Sequence, residues 1–242
     1  HLHLSLRRQR QMCIRDRSPV VAWMAAGVKA AGFAAMLRVF VLTFGSWSSE
    51  WQPAVWLLAL LTMVLGSVLA VVQTDVKRML GYSSIVHAGF LLVGVQASSD
   101  RGTAAVLAYL GAYTLLACGS FAVVTVVGGT GDNRHQLIAY RGLGTRRPWL
   151  AGAFAVLLLG QTGIPFTVGF VAKFGVLAAA VEDRAYILAG SAMVAAAIAA
   201  FVYLRILVAM YLENESDGFD SDCDRSPLGA RVVLSLIHIS EP

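Results

Sequence analysis

The stretch that decides the fold is WLAGAFAVLLLGQTGIPFTVGFVAKFGVLAAAV, residues 149–181. It is apolar and exceeds the roughly 20 residues that cross a bilayer as a helix, yet Gly163-Ile164-Pro165 interrupts it near the middle. Proline removes a backbone donor and clashes with the preceding turn. Because lipid cannot satisfy the freed backbone groups, such a break indicates a helix buried in protein or lining a wet cavity. Lys173 lies beyond the break, and a charge beside an interrupted helix predicts an ion path.

The composition of the chain is that of a membrane protein. Of 242 residues, 57% are hydrophobic and 14% are charged, and the mean hydropathy is +0.69, whereas a soluble domain carries about 25% charged residues. Several windows exceed the ~18 apolar residues that identify a membrane helix. We therefore predict an all-α, polytopic transmembrane bundle of about six spans, one of them broken, over residues 19–42, 54–72, 76–96, 103–127, 149–181 and 185–212.

Two further ionisable side chains lie at membrane depth. Lys29 is about ten residues into the first span, hence roughly 15 Å deep at ~1.5 Å per residue, where a lysine costs about 2.5–3.5 kcal/mol. A functional role is therefore favoured over snorkelling. His87 lies in the middle of the third span and shares a helix face with Ser83 and Ser84. Either a hydrogen bond to a neighbouring helix or a proton relay explains a histidine there, because histidine titrates near neutral pH.

The other polar features favour packing and solvation over a site. The fourth span contains four hydroxyl-bearing residues that we expect to form interhelical hydrogen bonds, namely Tyr109, Tyr113, Thr114 and Ser120. Residues 128–148 are predicted to be a polar loop, and residues 213–224 a solvated acidic segment without calcium-loop spacing.

No motif of soluble-type chemistry occurs in the sequence. It contains no glycine-rich nucleotide loop, no nucleophile elbow and no Cys/His metal spacing, so we expect no catalytic residue and no metal ligand. Burial disfavours the charged form of a lysine and lets it release a proton. The residues therefore favour ion translocation, most simply of protons.

Basic residues are unequally distributed between the links. The links after the second and fourth spans contain Lys77, Arg78, Arg134, Arg141, Arg146 and Arg147, and the other links between spans contain only Arg101 and Arg184. By the positive-inside rule, residues 73–78 and 128–148 are expected to be cytoplasmic, together with the tail at 213–226.

The two ends of the chain differ from the interior. Residues 7–17 read RRQRQMCIRDR and residues 234–242 read LSLIHISEP. Codons for the first match a transposase-based sequencing adaptor, and codons for the second include the reverse complement of part of it. We therefore expect residues 1–17 and 234–242 to be non-native segments around a membrane domain at 18–233, rather than a basic arm or a targeting signal. Without them, Lys and Arg fall from 19 to 14 and Asp and Glu from 14 to 12, so the net charge falls from +5 to +2, and no nucleic-acid partner is expected.

Three long motifs occur along the chain: SPVVAWMAAGVKAAGFAAMLR at 18–38, QTDVKRMLGYSSIVHAGFLLVGV at 73–95 and GQTGIPFTVGFVAKF at 160–174. They resemble the antiporter-like membrane subunits of respiratory complex I, above all the N subunits of the bacterial NADH-quinone oxidoreductases. The resemblance covers residues 18–233 and implies a fourteen-helix fold with two inverted five-helix repeats. The six spans would be helices eight to thirteen, which are the second repeat preceded by the last helix of the first.

The resemblance also implies roles for individual residues. Lys29 matches the family's central lysine on helix eight, and Lys173 matches the lysine of the broken helix twelve. His87 lies in the YSS-x-x-H-x-G-F segment, where family use is less uniform. Protons would pass from Lys29 to Lys173, and the break at Gly163 and Pro165 would admit water beside Lys173. The family's helix-five glutamate, helix-seven lysine and final helix have no counterpart in this sequence.

The resemblance further implies the surroundings of the chain. In the family, NADH, FMN, the iron–sulfur clusters and quinone belong to other subunits, so this chain would bind no cofactor itself. It would be a non-redox translocase subunit in the lipid bilayer of the bacterial inner membrane, beside other membrane subunits of complex I and especially the related antiporter-like ones. Two alternatives stay open: a subunit of a multisubunit sodium/proton antiporter, and a membrane packing subunit without an ion path.

Overall fold

The computed structural model describes residues 18–129 and 135–213, and the regular elements in these two ranges are helical. Within these two ranges, five helical stretches are long and apolar enough to span a membrane, namely Val20–Thr43, Gly45–Val72, Val76–Gln96, Asp100–Gly128 and Tyr186–Tyr211. The prediction of an all-α, polytopic transmembrane bundle is confirmed. The expectations for residues 1–17 and 234–242, and for the acidic segment beyond residue 213, concern chain outside the described residues.

The first span is a helical run in which α-helical and π-helical segments alternate. Helix α1 (Ser18–Trp23) leads into a π-helical segment at Met24–Val28, and α2 (Lys29–Met36) leads into a second one at Leu37–Thr43. Short π-helical segments are rare and are often found at functional sites. The first of the two ends directly before Lys29, the lysine that the sequence places at mid-membrane.

The second and third spans form the most closely packed helix pair. Helix α3 (Ser48–Val72) begins earlier than predicted, because Trp51 Nε1 donates to the backbone oxygen of Phe44 at 3.0 Å and holds the preceding turn against it. Helix α4 (Val76–Gln96) has the predicted bounds. A Cβ at Gly89 of α4 would lie 2.3 Å from Met63 Cγ of α3, so glycine permits this close approach, as is common between membrane helices.

The link after the fourth span is partly helical where the sequence predicts a polar loop. Helix α5 (Asp100–Gly128) is followed, in the described part of the link, by a 3-10 turn at Leu137–Tyr140 and by α6 (Leu143–Arg146). Tyr140 is fully buried and lies against Phe154, with ring centroids 6.0 Å apart. Apolar side chains therefore fold this link onto the end of the bundle.

The stretch at 149–181 is broken where its proline predicts a break. Helices α7 (Pro148–Thr162) and α8 (Val168–Glu182) have 15 residues each. At ~1.5 Å per residue each is roughly 22 Å long, which is too short to cross a hydrocarbon core of ~30 Å alone. Helix α9 (Tyr186–Tyr211) follows and accounts for the sixth predicted span.

The links that contain most of the basic residues lie together at one end of the bundle. Asp75, after α3, forms an antiparallel bridge with Gln136, after α5. Arg141 pairs with Glu213, after α9, at 2.5 Å. The described parts of these three segments therefore share one side, as the alternation of spans and links requires.

Side chains tie helix ends together at both ends of the bundle. Arg205 of α9 is partly buried and donates through Nη1 to the backbone oxygens of Val71 at 3.2 Å and Gln73 at 3.1 Å. Carbonyls at a helix C-terminus carry partial negative charge, so Arg205 caps α3. At the opposite end, Arg101 pairs with Glu182 through exposed side chains.

Helix α4 is the centre of the bundle. In its apolar window 72% of the residues are buried, against 17–44% in the other four long spans. It packs against α3, α5, α8 and α9. Residues on α4 therefore contact several helices at once, and His87 lies on this helix.

Candidate functional site

The backbone between α7 and α8 leaves the helical path over residues 163–167. Gly163 ends α7 in the left-handed conformation with a φ of 80°, which is the usual role of glycine after a helix C-terminus. Thr167 begins α8 as its N-cap, because its Oγ1 accepts from the backbone nitrogen of Phe170 at 3.3 Å. The backbone oxygens of Leu159 and Gly160 accept from the nitrogens of Gly163 and Ile164, which leaves the last two carbonyls of α7, at Gln161 and Thr162, available to another donor.

Lys173 of α8 fills the position that these carbonyls create. Its Nζ donates to the backbone oxygens of Gln161 at 2.9 Å and Thr162 at 2.7 Å, and the residue is 6% exposed. The negative end of the α7 dipole favours a cation at this place. A Cβ at Gly163 would lie 3.0 Å from Lys173 Cδ, and a Cβ at Gly169 would lie 1.8 Å from a backbone oxygen of α7, so both glycines let the lysine and the two helices approach closely.

Lys29 contacts α4 rather than the outside of the bundle. Its Nζ donates to Ser84 Oγ at 2.8 Å and also to the backbone oxygen of Ser84. It lies 5.5 Å from the ring centroid of Tyr113 on α5, close enough for a cation–π interaction. The side chain is partly buried, and its amine has polar and aromatic neighbours on two helices.

His87 lies between the two lysines in the contact network and is 4% exposed. Its Nδ1 is 2.7 Å from the hydroxyl of Tyr109, and its Nε2 is 3.0 Å from the hydroxyl of Tyr203. The ring also stacks at a tilt on Tyr113, with centroids 4.7 Å apart. Tyr113 thus touches both Lys29 and His87, and it joins the surroundings of the first lysine to those of the histidine.

A second chain of hydrogen bonds leads from His87 to the end of α7. The hydroxyl of Tyr203 donates to Gln161 Oε1 at 2.9 Å. Gln161 Nε2 donates to Ser120 Oγ at 2.7 Å and to the backbone oxygen of Leu116 at 3.1 Å. Gln161 therefore takes part twice, since its side chain binds Tyr203 while its backbone oxygen binds the ammonium of Lys173.

A small cavity lies where these groups converge. Its lining includes His87, Tyr109, Tyr113, Gln161 and Lys173. The space open to the centre of a water molecule is about 10 Å³, which is close to the minimum that accommodates one water. The lining residues include tyrosine, glutamine, histidine and lysine, but the surface that they present to the cavity is apolar.

Gln161 and Tyr203 are the members of this site that sequence reasoning missed. Tyr109 and Ser120 do form the interhelical hydrogen bonds that the sequence predicts, but their partners are His87 and Gln161. Thr114 instead donates to a backbone oxygen of its own helix. An amide two residues before the Gly163-Ile164-Pro165 break is a signal that could have marked Gln161, whereas nothing in the local pattern distinguishes Tyr203 from the other tyrosines.

Comparison with known families identifies the family of the chain. The family model described as NADH:quinone oxidoreductase/Mrp antiporter, TM, matches residues 16–199, which is more than two thirds of the 242 residues. The chain belongs to this family. The resemblance to the antiporter-like membrane subunits of complex I that the motifs indicate is thereby confirmed.

Relatives of the chain include proteins named NADH-quinone oxidoreductase subunit N. The chain is 48% identical over 203 residues to NADH-quinone oxidoreductase subunit N of Parafrankia sp. (strain EAN1pec), covering 83% of this chain and 38% of that protein. It is 40% identical over 220 residues to NADH-quinone oxidoreductase subunit N 1 of Solibacter usitatus (strain Ellin6076), covering 91% and 45%. The chain thus spans less than half the length of these curated relatives.

Solved structures agree with the family. A chain of respiratory complex I from Thermus thermophilus with bound aureothin is 35% identical and matches with a TM-score of 0.71, covering 82% of this chain and 43% of that one. A chain of the archaeal membrane-bound sulfane sulfur reductase is 25% identical with a TM-score of 0.76, covering 92% and 45%. A chain of the Mrp complex from Dietzia sp. DQ12-45-1b is 21% identical with a TM-score of 0.71, covering 90% and 44%, and shares the fold.

Proposed function

We propose that this chain carries protons across the membrane as a non-redox translocase part of a NADH-quinone oxidoreductase. The observation that carries the proposal is the contact of two amines, one buried and one partly buried, with one central network. Lys29 lies against Tyr113, Tyr113 stacks on His87, and the cavity beside His87 extends to Lys173. Ionisable groups at this depth are costly and are seldom present without a role.

Each lysine in this proposal is a site that binds and releases one proton. The amine of Lys29 is held by Ser84, and that of Lys173 by the end of α7. Burial disfavours the charged form while the oxygen acceptors favour it, so a change of charge nearby tips the balance. A proton moves from the Lys29 side to Lys173 by way of His87, which lines the same cavity as Lys173.

The proposal includes the surroundings that the family resemblance implies. NADH, FMN, the iron–sulfur clusters and quinone belong to other subunits, and this chain receives the energy of their reaction through neighbouring membrane subunits of the antiporter-like type. Residues 18–233 form the second repeat of the family fold, preceded by the last helix of the first. The end of the bundle that carries Asp75, Gln136 and Glu213 faces the cytoplasm of a bacterial inner membrane, which the positive-inside rule supports.

A sodium/proton antiporter subunit is the second candidate, and the fold match to the Mrp chain favours it. Helix-end carbonyls at a break in a membrane helix also bind sodium in transporters. Here the carbonyls of Gln161 and Thr162 are bonded to the ammonium of Lys173. A metal cation cannot bind them while that ammonium is in place, so the geometry favours protons over sodium.

The test replaces the two lysines in the full-length subunit within its assembled complex. Lys29→Met, Lys173→Met and the double variant are compared for proton pumping into proteoliposomes per NADH oxidised. A positioned proton-transfer group raises the rate of transfer by about 10²–10⁴-fold. The loss of pumping in each single variant is therefore expected to be at least ~90% of the loss in the double variant. Lys77→Met, at the end of the bundle, is the matched control.

The outcomes separate the candidates. Normal pumping by the double variant would refute the path and favour a packing subunit. Sodium-dependent transport in the absence of NADH, abolished by Lys173→Met, would instead select the antiporter function.

A further inference from the structure

The side chain of Gln161 has one orientation that satisfies its neighbours. Its amide nitrogen lies 3.1 Å from the backbone oxygen of Leu116 and 2.7 Å from Ser120 Oγ. A backbone carbonyl only accepts hydrogen bonds, so the nitrogen must face Leu116 and the amide oxygen must face Tyr203. The Ser120 hydroxyl donates to the same Leu116 carbonyl at 2.8 Å, which leaves the Ser120 oxygen free to accept from Gln161.

This orientation decides where the hydrogen of Tyr203 points. A tyrosine hydroxyl has one hydrogen and can accept two others, and three partners surround it: Gln161 Oε1 at 2.9 Å, His87 Nε2 at 3.0 Å and Ser83 Oγ. An amide oxygen cannot donate, so the one hydrogen of Tyr203 goes to Gln161. His87 Nε2 and Ser83 must then both donate to Tyr203.

The tautomer of His87 follows from the same assignment of donors and acceptors around the Tyr203 hydroxyl. Nε2 carries a hydrogen in both charge states of the ring, so in the neutral ring the bare nitrogen is Nδ1, which accepts from the Tyr109 hydroxyl at 2.7 Å. A proton that loads the ring binds Nδ1, and one proton leaves from Nδ1 when the ring is unloaded. Tyr109 also lines the cavity that extends to Lys173.

We infer that Gln161 is a positioning residue that confines proton exchange on His87 to Nδ1, the nitrogen beside Tyr109 and the cavity. Its amide does not itself transfer a proton, because its oxygen only accepts and its nitrogen is bonded to α5. The chain of hydrogen bonds through Tyr203 therefore fixes the ring, and protons pass through the cavity. This inference rests on the proposed function in so far as protons move here, but the tautomer can be measured without pumping.

The experiment measures the tautomer of His87 by nitrogen-15 NMR in the full-length subunit within its complex, with the His87→Gln spectrum used for assignment. The wild-type neutral ring is expected to carry its hydrogen on Nε2. Gln161→Met keeps the side-chain length but removes the acceptor, so the Tyr203 hydrogen is released towards Nε2. The share of the Nδ1–H tautomer is then expected to rise about five-fold, as the loss of one hydrogen bond implies, and pumping to fall.

Two further variants keep the inference open to refutation. Tyr203→Phe removes the same oxygen from Nε2 and is expected to shift the tautomer in the same direction if Gln161→Met does not assemble. Thr114→Val is the matched control on α5, because Thr114 bonds only its own helix in the described contacts, and it is expected to change neither tautomer nor pumping.

A wild-type ring that carries its hydrogen on Nδ1, or an unchanged tautomer in the assembled Gln161→Met or Tyr203→Phe variant, overturns the inference. Normal pumping by Lys29→Met with Lys173→Met overturns the proposed function instead and leaves the tautomer result standing. The two failures are therefore distinguishable.

Discussion

The substitution Lys173→Arg separates the holding of a positive charge from the release of a proton. The ammonium of Lys173 donates to the backbone oxygens of Gln161 and Thr162 at 2.9 and 2.7 Å. Arginine keeps its charge and has five donors, so it can hold both carbonyls. Hydrogen bonds to charged groups contribute about 1.5–3 kcal/mol each. Because both are kept, the expected fall in the free energy of unfolding is only about 1–3 kcal/mol, which a larger side chain costs in a closely packed site.

Proton release by the same variant is expected to fall by orders of magnitude. The reference pKa of arginine lies far above that of lysine, which is about 10.4. Arginine therefore keeps its proton where lysine can release it. The neutral form then becomes about 100–1,000 times rarer. Pumping that depends on this position is expected to fall to about 1% or less.

The assay compares two measurements on the assembled complex: dye-detected acidification of proteoliposomes driven by NADH, and thermal unfolding. Lys173→Met is the companion variant, since it loses two bonds worth ~3–6 kcal/mol but also regains the ~2.5–3.5 kcal/mol cost of a buried lysine. Its stability is expected to fall by ~3.5 kcal/mol at most. Wild-type pumping by Lys173→Arg would refute the reasoning, because a side chain that keeps its proton would then suffice.

Four further substitutions, one of them a control, test the fold by thermal unfolding. Gly163→Ala is expected to lower the free energy of unfolding by about 1–2 kcal/mol, because the φ of Gly163 is 80°. The control, Gly152→Ala, lies in an open helical position and is expected to raise it by ~0.5–1 kcal/mol. Equal effects of the two substitutions would contradict a strained conformation at Gly163. Arg205→Gln removes the charged donor at the end of α3 and is expected to cost about 1.5–3 kcal/mol, so an unchanged melting temperature would argue against the cap. Arg101→Ala breaks the pair with Glu182, whose side chains are 57% and 52% exposed, and a loss above ~1 kcal/mol would be unexpected for a surface pair.

The helix break and the position of each ionisable residue along its helix could be predicted from the sequence because both depend on local chemistry. Proline lacks its donor wherever it occurs, and depth along a span follows from the rise of a helix. The partners of these residues could not be predicted in the same way. Tyr203 and Gln161 are 42 residues apart in sequence, and only the packing of α9 against α7 brings them together.

The errors in the element bounds have a physical reason as well. Residues 45–53 are rich in Trp and Ser, which are typical of an interfacial loop, but the bond between Trp51 and Phe44 stabilises a turn that continues directly into α3 from Ser48. The link after α5 reads as polar because of its arginines, yet Tyr140 is buried against Phe154. In both places one contact of an aromatic side chain decides the structure. Such a contact cannot be predicted from the pattern of polar and apolar residues.

The chain uses the same type of joint twice, with a different amino acid in each. Arg205 and Lys173 each reach across to the carboxyl-terminal end of another helix and bind two main-chain oxygens there. The guanidinium of Arg205, at the rim of the bundle, keeps its two bonds permanently, since no accessible pH removes its charge. The ammonium of Lys173, in the middle, loses the charge that strengthens its bonds when it releases one proton. If Lys173 releases its proton, the connection between α7 and α8 is weakened, whereas the connection that Arg205 makes at the rim is kept. The mobile element of this molecule is therefore expected at its core.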